Sequence, residues 1–171
     1  MTDHVDRVIA QWAEQAPDAD ASPMGVIGRI KRLSHIIDAE LRSTYAAHDL
    51  DASAFDLLAT LRRSPAPHQL TPAELMRASM VTSGAITQRL DRLEARGLIA
   101  RTRREADGRS FHVSLTPAGL DLVDRALVDN FATQDRLLNG LDPEQRERLA
   151  GDLRTLLETL GDTGRAVGVR R

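Results

Sequence analysis

Cysteine is absent from this chain of 171 residues, which excludes disulfides, thiol redox sensing, cysteine nucleophiles and thiolate zinc sites. No apolar run approaches the roughly 20 residues of a membrane-spanning helix. The acidic start MTDHVD does not read as a signal peptide, so a soluble, cytoplasmic protein with no membrane contact is expected. Enzyme signatures are missing as well: there is no G-x-S-x-G elbow, no Walker loop and no Rossmann fingerprint. His4, His35, His48, His68 and His112 show no H-E-x-x-H or close ligand spacing. Dispersed carboxylates on helical surfaces make no acid–base pair. The chain therefore reads as a non-enzyme that needs neither metal nor organic cofactor.

Lysine is almost lacking too, with Lys31 alone among the arginines. The net charge of −2 says little, but its distribution says more. Ten arginines face five acids between Arg62 and Arg109, a net of +5, while the flanks sum to −7. A basic middle between acidic ends suggests a localised contact with a polyanion.

Periodicity supplies the elements. Val5, Val8, Ile9 and Trp12 repeat at helical spacing, and a loop, APDADASP, follows. Ser22-Pro23 reads as the start of a long helix to about Ala47, carrying Ile27, Ile30, Leu33, Ile37 and Leu41. Asp51 caps a third helix bearing Phe55, Leu58 and Leu61, which stops at the breaker SPAPH. Thr71 and Glu74 form a capping box with Pro72 at the first helical position, and that helix ends near Ala78. Thr82 or Ser83 caps the next, which runs to Gly97. Two helices joined by a short turn make a helix-turn-helix. Ile99 to Arg103 and Ser110 to Leu115 alternate around Asp107-Gly108, a hairpin signal. Thr116-Pro117 and Asp142-Pro143 open two last helices. Their leucine stripes exceed what so small a neighbour could cover, so a second subunit is expected to cover them.

On the helix from Thr82 to Arg96, Ile86, Leu90 and Leu93 define the buried side. Gly84, Gln88, Asp91 and Arg92 fall opposite, with Ser83 and Thr87 on a flank. Gly84 permits close backbone approach, and Gln88 and Arg92 have donors suited to base edges. Arg103, Arg104 and Arg109 crowd the hairpin, where they fit phosphates and a narrow minor groove. A solvated helix and an ordinary charged loop are the blander alternatives, and the order of the elements favours DNA. Asp56 and Arg63 stand two helical turns apart with Thr60 between, and Arg89 lies about 80° from the centre of its helix's buried side. Taken singly, Asp56 and Arg63 read as a structural ion pair, and Trp12 as a core residue.

The stretch LTPAELMRASMVTSGAITQRLDRLEARGLIARTRREADGRSFHVSLTPAG resembles the MarR family of winged-helix regulators, with a match from about Ile27 to Leu160. The resemblance implies a mainly α fold with a small β-hairpin wing and helical dimerisation regions. N-terminal helices over 1–50 would serve dimerisation and the ligand pocket, the winged helix-turn-helix would occupy 51–115, and further dimerisation helices 116–171. It also implies a homodimer on a pseudo-palindromic, double-stranded operator. A narrower likeness is to the urate-responsive, PecS-like and HucR-like branch. That branch has a Trp on an extra first helix, an Asp and an Arg seven apart, and an Arg in the recognition helix. Trp12, Asp56, Arg63 and Arg89 fill those positions. The implied protein is a transcriptional repressor released from its operator by a small aromatic anion, urate. In that mechanism Trp12 stacks on the ring, Arg63 or Arg89 takes the charge, and a changed Asp56–Arg89 balance tilts the reading helix. A phenolic or other aromatic anion is the alternative effector, and a helical adaptor that binds protein is the alternative of another class.

Overall fold

The structure is a computed structural model of the chain that describes residues 2–79, 86–104 and 107–162; at 104 and 107–110 it describes the backbone alone. Its contacts divide the chain into two compact units, Met1–Ser43 and Thr44–Arg171.

In the first unit, α1 spans His4–Gln15 and opens with a capping box between Asp3 and Asp6. Helix α2 spans Met24–Ala46. Arg29 of α2 donates to Asp3 at 2.8 Å and to Asp6 at 2.6 Å, so the side chains that cap α1 also tie it to α2. Both carboxyls are held below the usual carboxylate range, each first by the other residue's backbone N–H and then with help from Arg29. Val5 is the one buried residue of α1, and it packs where Gly28 carries no side chain, since a Cβ there would meet Val5 Cγ1 at 3.2 Å. Ile27, Leu33 and Ile37 form the helix expected of them yet remain exposed within the chain.

The second unit holds the main core. Asp51 caps α3, Ala52–Arg63, by accepting from the Ala54 N–H at 2.7 Å. Strand β1 is Gln69–Leu70, and helix α4 is Pro72–Ala78. Helix α5 is described over Ile86–Ala95. Strands β2, Ile99–Arg104, and β3, Asp107–Leu115, pair antiparallel. Helices α6, Pro117–Leu137, and α7, Pro143–Thr159, complete the order. Leu57, Leu58 and Leu61 of α3, Leu75, Leu90, Leu93, Val113 and Val123 are almost fully enclosed. Tyr45 stacks on Phe55 with centroids 4.3 Å apart. The same Tyr45 hydroxyl donates to Asn130 at 3.0 Å, and the Thr44 and Thr133 hydroxyls meet at 2.8 Å, fastening the end of α2 to α6.

Two sequence expectations are corrected. The sheet has three strands, ordered β1-β3-β2, because Gln69 pairs with Ser114 and Leu70 with Val113 just after the SPAPH breaker. And Asp107-Gly108 opens β3 instead of turning the hairpin. Arg104 already pairs with Asp107, and the register shifts between Arg103 and Arg104. The alternation of Phe111, Val113 and Leu115 fixes the inner ladder, so the surplus residues are absorbed as an irregularity in β3. Asp142 and Gln145 do form a capping box at α7, but none of that helix is buried. No helix among the described residues is long and apolar enough to cross a membrane.

Candidate DNA-reading face and effector site

The candidate reading helix is α5, and its end is built by a left-handed glycine. Gly97 has φ +67, its N–H donates to the Glu94 carbonyl at 2.8 Å, and the Leu98 N–H donates to the Leu93 carbonyl at 3.0 Å. These two bonds, with buried Leu93 and Leu98 beside them, make a Schellman stop. Leu90 and Leu93 fix the rotation of α5 against the core, which leaves Thr87, Gln88 and Arg92 exposed as expected. Ser83 and Gly84 lie outside the described residues.

Ahead of α5, the start of α4 is fixed locally. The Thr71 hydroxyl accepts from the Glu74 N–H at 3.3 Å, and the Glu74 carboxylate accepts from the Thr71 N–H at 2.8 Å. The second bond, foremost, holds the Glu74 carboxyl below the ordinary carboxylate range. Leu75 then anchors the short helix in the core.

Sequence reasoning passed over Arg101, the residue that joins the wing to α5. Its Nη2 lies 2.6 Å from Asp91, its Nε lies 3.4 Å from Glu94, and its Cζ stands 5.1 Å from the Phe111 ring centroid. Asp91 belongs to the outward face of α5, so this guanidinium also neutralises a carboxylate beside the candidate DNA-reading residues. The signal was there as an Asp and an Arg ten residues apart, but only the fold brings a helix and a strand together. Arg101→Ala is expected to lower stability by about 1–2 kcal/mol in urea unfolding. Arg101→Lys should restore less than half, because an ammonium cannot bridge two carboxylates and cover a ring; full recovery by Lys would show that charge alone matters there. Of the wing arginines, Arg103 is exposed, while the side chains of Arg104 and Arg109 lie outside the described part.

The expected effector residues occupy varied settings. Trp12 is 49% exposed, so it is not a core residue of its own chain. Asp56 is buried at 9%, inside the fully enclosed stretch of α3. One turn on, the Thr60 hydroxyl is buried and has no hydrogen-bond partner among the described residues. Arg63, at the end of α3, is exposed and donates to the Ala78 carbonyl that ends α4. Arg89 is half-buried on α5, which packs against α3. Asp56, Thr60 and Arg63 stand at i, i+4 and i+7 on α3, a buried carboxylate and hydroxyl leading to an exposed guanidinium, the groups that a flat molecule with an anionic edge and ring donors would need.

The chain is similar to known proteins over most of its length. The MarR family model matches residues 48–110. The transcriptional regulator PecS of Dickeya dadantii (strain 3937) is 36% identical over 145 residues, covering 85% of this chain and 87% of PecS. An HTH-type transcriptional repressor of Mycobacterium tuberculosis (strain ATCC 25618 / H37Rv) is 33% identical over 144 residues, 84% of this chain and 96% of that protein. Among solved structures, Bordetella bronchiseptica BpsR, whose DNA binding is regulated by 6-hydroxynicotinic acid, superposes with a TM-score of 0.68 at 25% identity, over 77% of this chain and 91% of BpsR. The apo form of MarR from E. coli gives a TM-score of 0.64 at 25% identity, over 77% and 96% of the two chains. With its capped α4, its Schellman-stopped reading helix and its braced wing, the chain belongs to the MarR family of winged-helix transcriptional regulators.

Proposed function

We propose that this regulator is a repressor that holds a pseudo-palindromic operator as a homodimer and leaves it when a small aromatic anion binds, urate being the first candidate. The observation that carries the effector reading is the α3 series of Asp56, Thr60 and Arg63. A buried hydroxyl without a partner among the described residues costs about 1–3 kcal/mol, a cost that a ligand's carbonyl or ring nitrogen would remove. Trp12, exposed on its helix, is available to stack on a flat ring. Repression is supported by the relative from Mycobacterium tuberculosis. The urate class rests on the resemblance of Trp12, Asp56, Arg63 and Arg89 to the urate-responsive branch, and a monocyclic aromatic acid, as the second candidate, is supported by the regulation of BpsR by 6-hydroxynicotinic acid. The homodimer is supported by apolar side chains open on separate helices, Val128 and Phe131 of α6 and Leu157 of α7 among them. A cytoplasmic, DNA-bound life follows from the same reading.

The test is fluorescence anisotropy of the full-length protein on the DNA upstream of its own coding sequence, at fixed salt, with urate titrated in. Urate is expected to release the DNA from the parent protein. Trp12→Ala is expected to bind that DNA with parental affinity and to need at least about tenfold more urate, the equivalent of about 1.4 kcal/mol. Release of the Trp12→Ala protein at the parental urate concentration would remove Trp12 from the site. If urate leaves the complex intact but 6-hydroxynicotinate dissolves it, the effector belongs to the monocyclic acids.

A further inference from the structure

We infer that Arg63 is a positioning residue for the helix-turn-helix as well as an effector ligand: it braces the C-terminal end of α4 until an anion takes its guanidinium away. The inference rests on the effector reading above, but its carrying observation is independent of it. Arg63 is the last residue of α3, and its Nη2 donates to the carbonyl of Ala78, the last residue of α4. That carbonyl is one of the terminal acceptors that a helix cannot satisfy for itself, and a cation is favourable at that end of the helix dipole.

The brace matters because α4 has only seven residues. Its start is secured by the Thr71–Glu74 box and its centre by Leu75. Its end is secured by the Ser79 N–H on the Leu75 carbonyl at 2.9 Å and by Arg63. Ser79 is extended, with ψ 152, so helical geometry stops there and the chain departs toward α5. Whatever holds Ala78 therefore sets where the connection to the reading helix begins.

A neutral carbonyl is a weak competitor for a guanidinium. Charge-assisted bonds to an anion are roughly twice as strong, and a planar anionic edge can engage two of the five donors at once. Arg63 is exposed, so an anion can reach it without unpacking the core. Capture by the anion leaves the Ala78 carbonyl without its cation and loosens the last turn of α4. This route to the DNA-reading unit runs through α4 and is separate from one through Asp56 and Arg89.

Two substitutions separate bracing from binding. Arg63→Ala should weaken operator binding in the absence of urate by between about five- and 150-fold, the usual range of coupling between sites, and urate should weaken it no further. Arg63→Lys still places a donor on the Ala78 carbonyl but loses the planar fork. It should hold DNA more tightly than Arg63→Ala and respond poorly to urate. Hydrogen–deuterium exchange on the full-length proteins supplies the readout that a general loss of stability would not mimic. Exchange in the last turn of α4 should rise in the parent on adding urate and should already be raised in Arg63→Ala, with α7 unchanged in both. Parental DNA affinity in Arg63→Ala, combined with loss of the urate response, would overturn the brace and leave Arg63 as a simple effector contact. Parental release by urate in both variants would overturn the effector role of Arg63 too. Should Arg63→Ala fail to fold, the parent decides: an α4 turn whose exchange ignores urate while the DNA is released sinks the inference.

Discussion

Gly119→Ala unfolds at a temperature about 5–10 °C below the parent protein. A methyl group at Gly119 would stand 1.9 Å from the carbonyl oxygen of Leu98 and 2.8 Å from its carbonyl carbon. Both atoms are backbone, so no side chain can swing aside. The Leu98 carbonyl is also engaged, accepting from the Thr116 N–H at 3.1 Å. Overpacking of this kind costs about 3 kcal/mol or more, and the gain from replacing a helical glycine, about 0.5–1 kcal/mol, offsets only part of it. Gly151→Ala makes the same exchange within α7, where nothing among the described residues beyond its immediate neighbours and the helix's own backbone lies within 4 Å of the new methyl. Circular dichroism melts of the two variants should therefore move in opposite directions. An unshifted melt for Gly119→Ala would mean that α6 can slide along the end of the wing.

Raising salt from 50 to 200 mM weakens operator binding by about three orders of magnitude or more, with a slope of log K on log[salt] of about −6 to −10. Counting every arginine between Arg62 and Arg109 would predict a steeper fall, but several of those charges are committed inside the protein. Arg62 pairs with Asp124 at 2.7 Å, Arg101 with Asp91 at 2.6 Å, and Arg96 donates to the Asp49 carbonyl at 2.8 Å. Arg92 and Arg103 stand exposed. Replacing Arg103 by Ala should flatten the slope by about one unit per chain and weaken all DNA sequences alike, whereas Gln88→Ala should change sequence preference at nearly constant slope. Anisotropy titrations at four salt concentrations measure both. A slope shallower than −3 would leave too few phosphate contacts for the proposed winged-helix pair on an operator.

Most of the fold was legible because the information was local. Asp51, Thr71, Thr116 and Asp142 each cap the helix that follows, and each cap is a side chain within three residues of the amide it bonds. The stop at Gly97 needed only a glycine after an apolar helix. What the sequence hid was long-range. Strand β1 is two residues long and exists only because Val113 and Ser114 lie beside it, so no alternation could announce it. Asp107-Gly108 announced a hairpin in the right region but the wrong turn, because the register set by the apolar face of β3 draws both residues into the strand. Among the candidate site residues, Thr87, Gln88 and Arg92 followed from the rotation that Leu90 and Leu93 impose. The bond from Arg63 to Ala78 could not be read in advance, since a main-chain acceptor has no letter in the sequence.

The junction of wing and α6 has a mechanical corollary. The Thr116 hydroxyl donates to the Gly97 carbonyl at 2.6 Å, and the Gly119 backbone lies flush on Leu98, so the end of the reading helix and the root of α6 form a single joint. Helix α6 has 21 residues, which makes it a rod about 30 Å long. Thr44 and Tyr45 grip that rod at Thr133 and Asn130, roughly 20 Å from the joint and 10 Å from the far tip. Between joint and grip the rod is held by buried Val123 and Ala126 and by the Arg62–Asp124 pair, so a sideways load at the joint is borne along its length, as in a clamped beam.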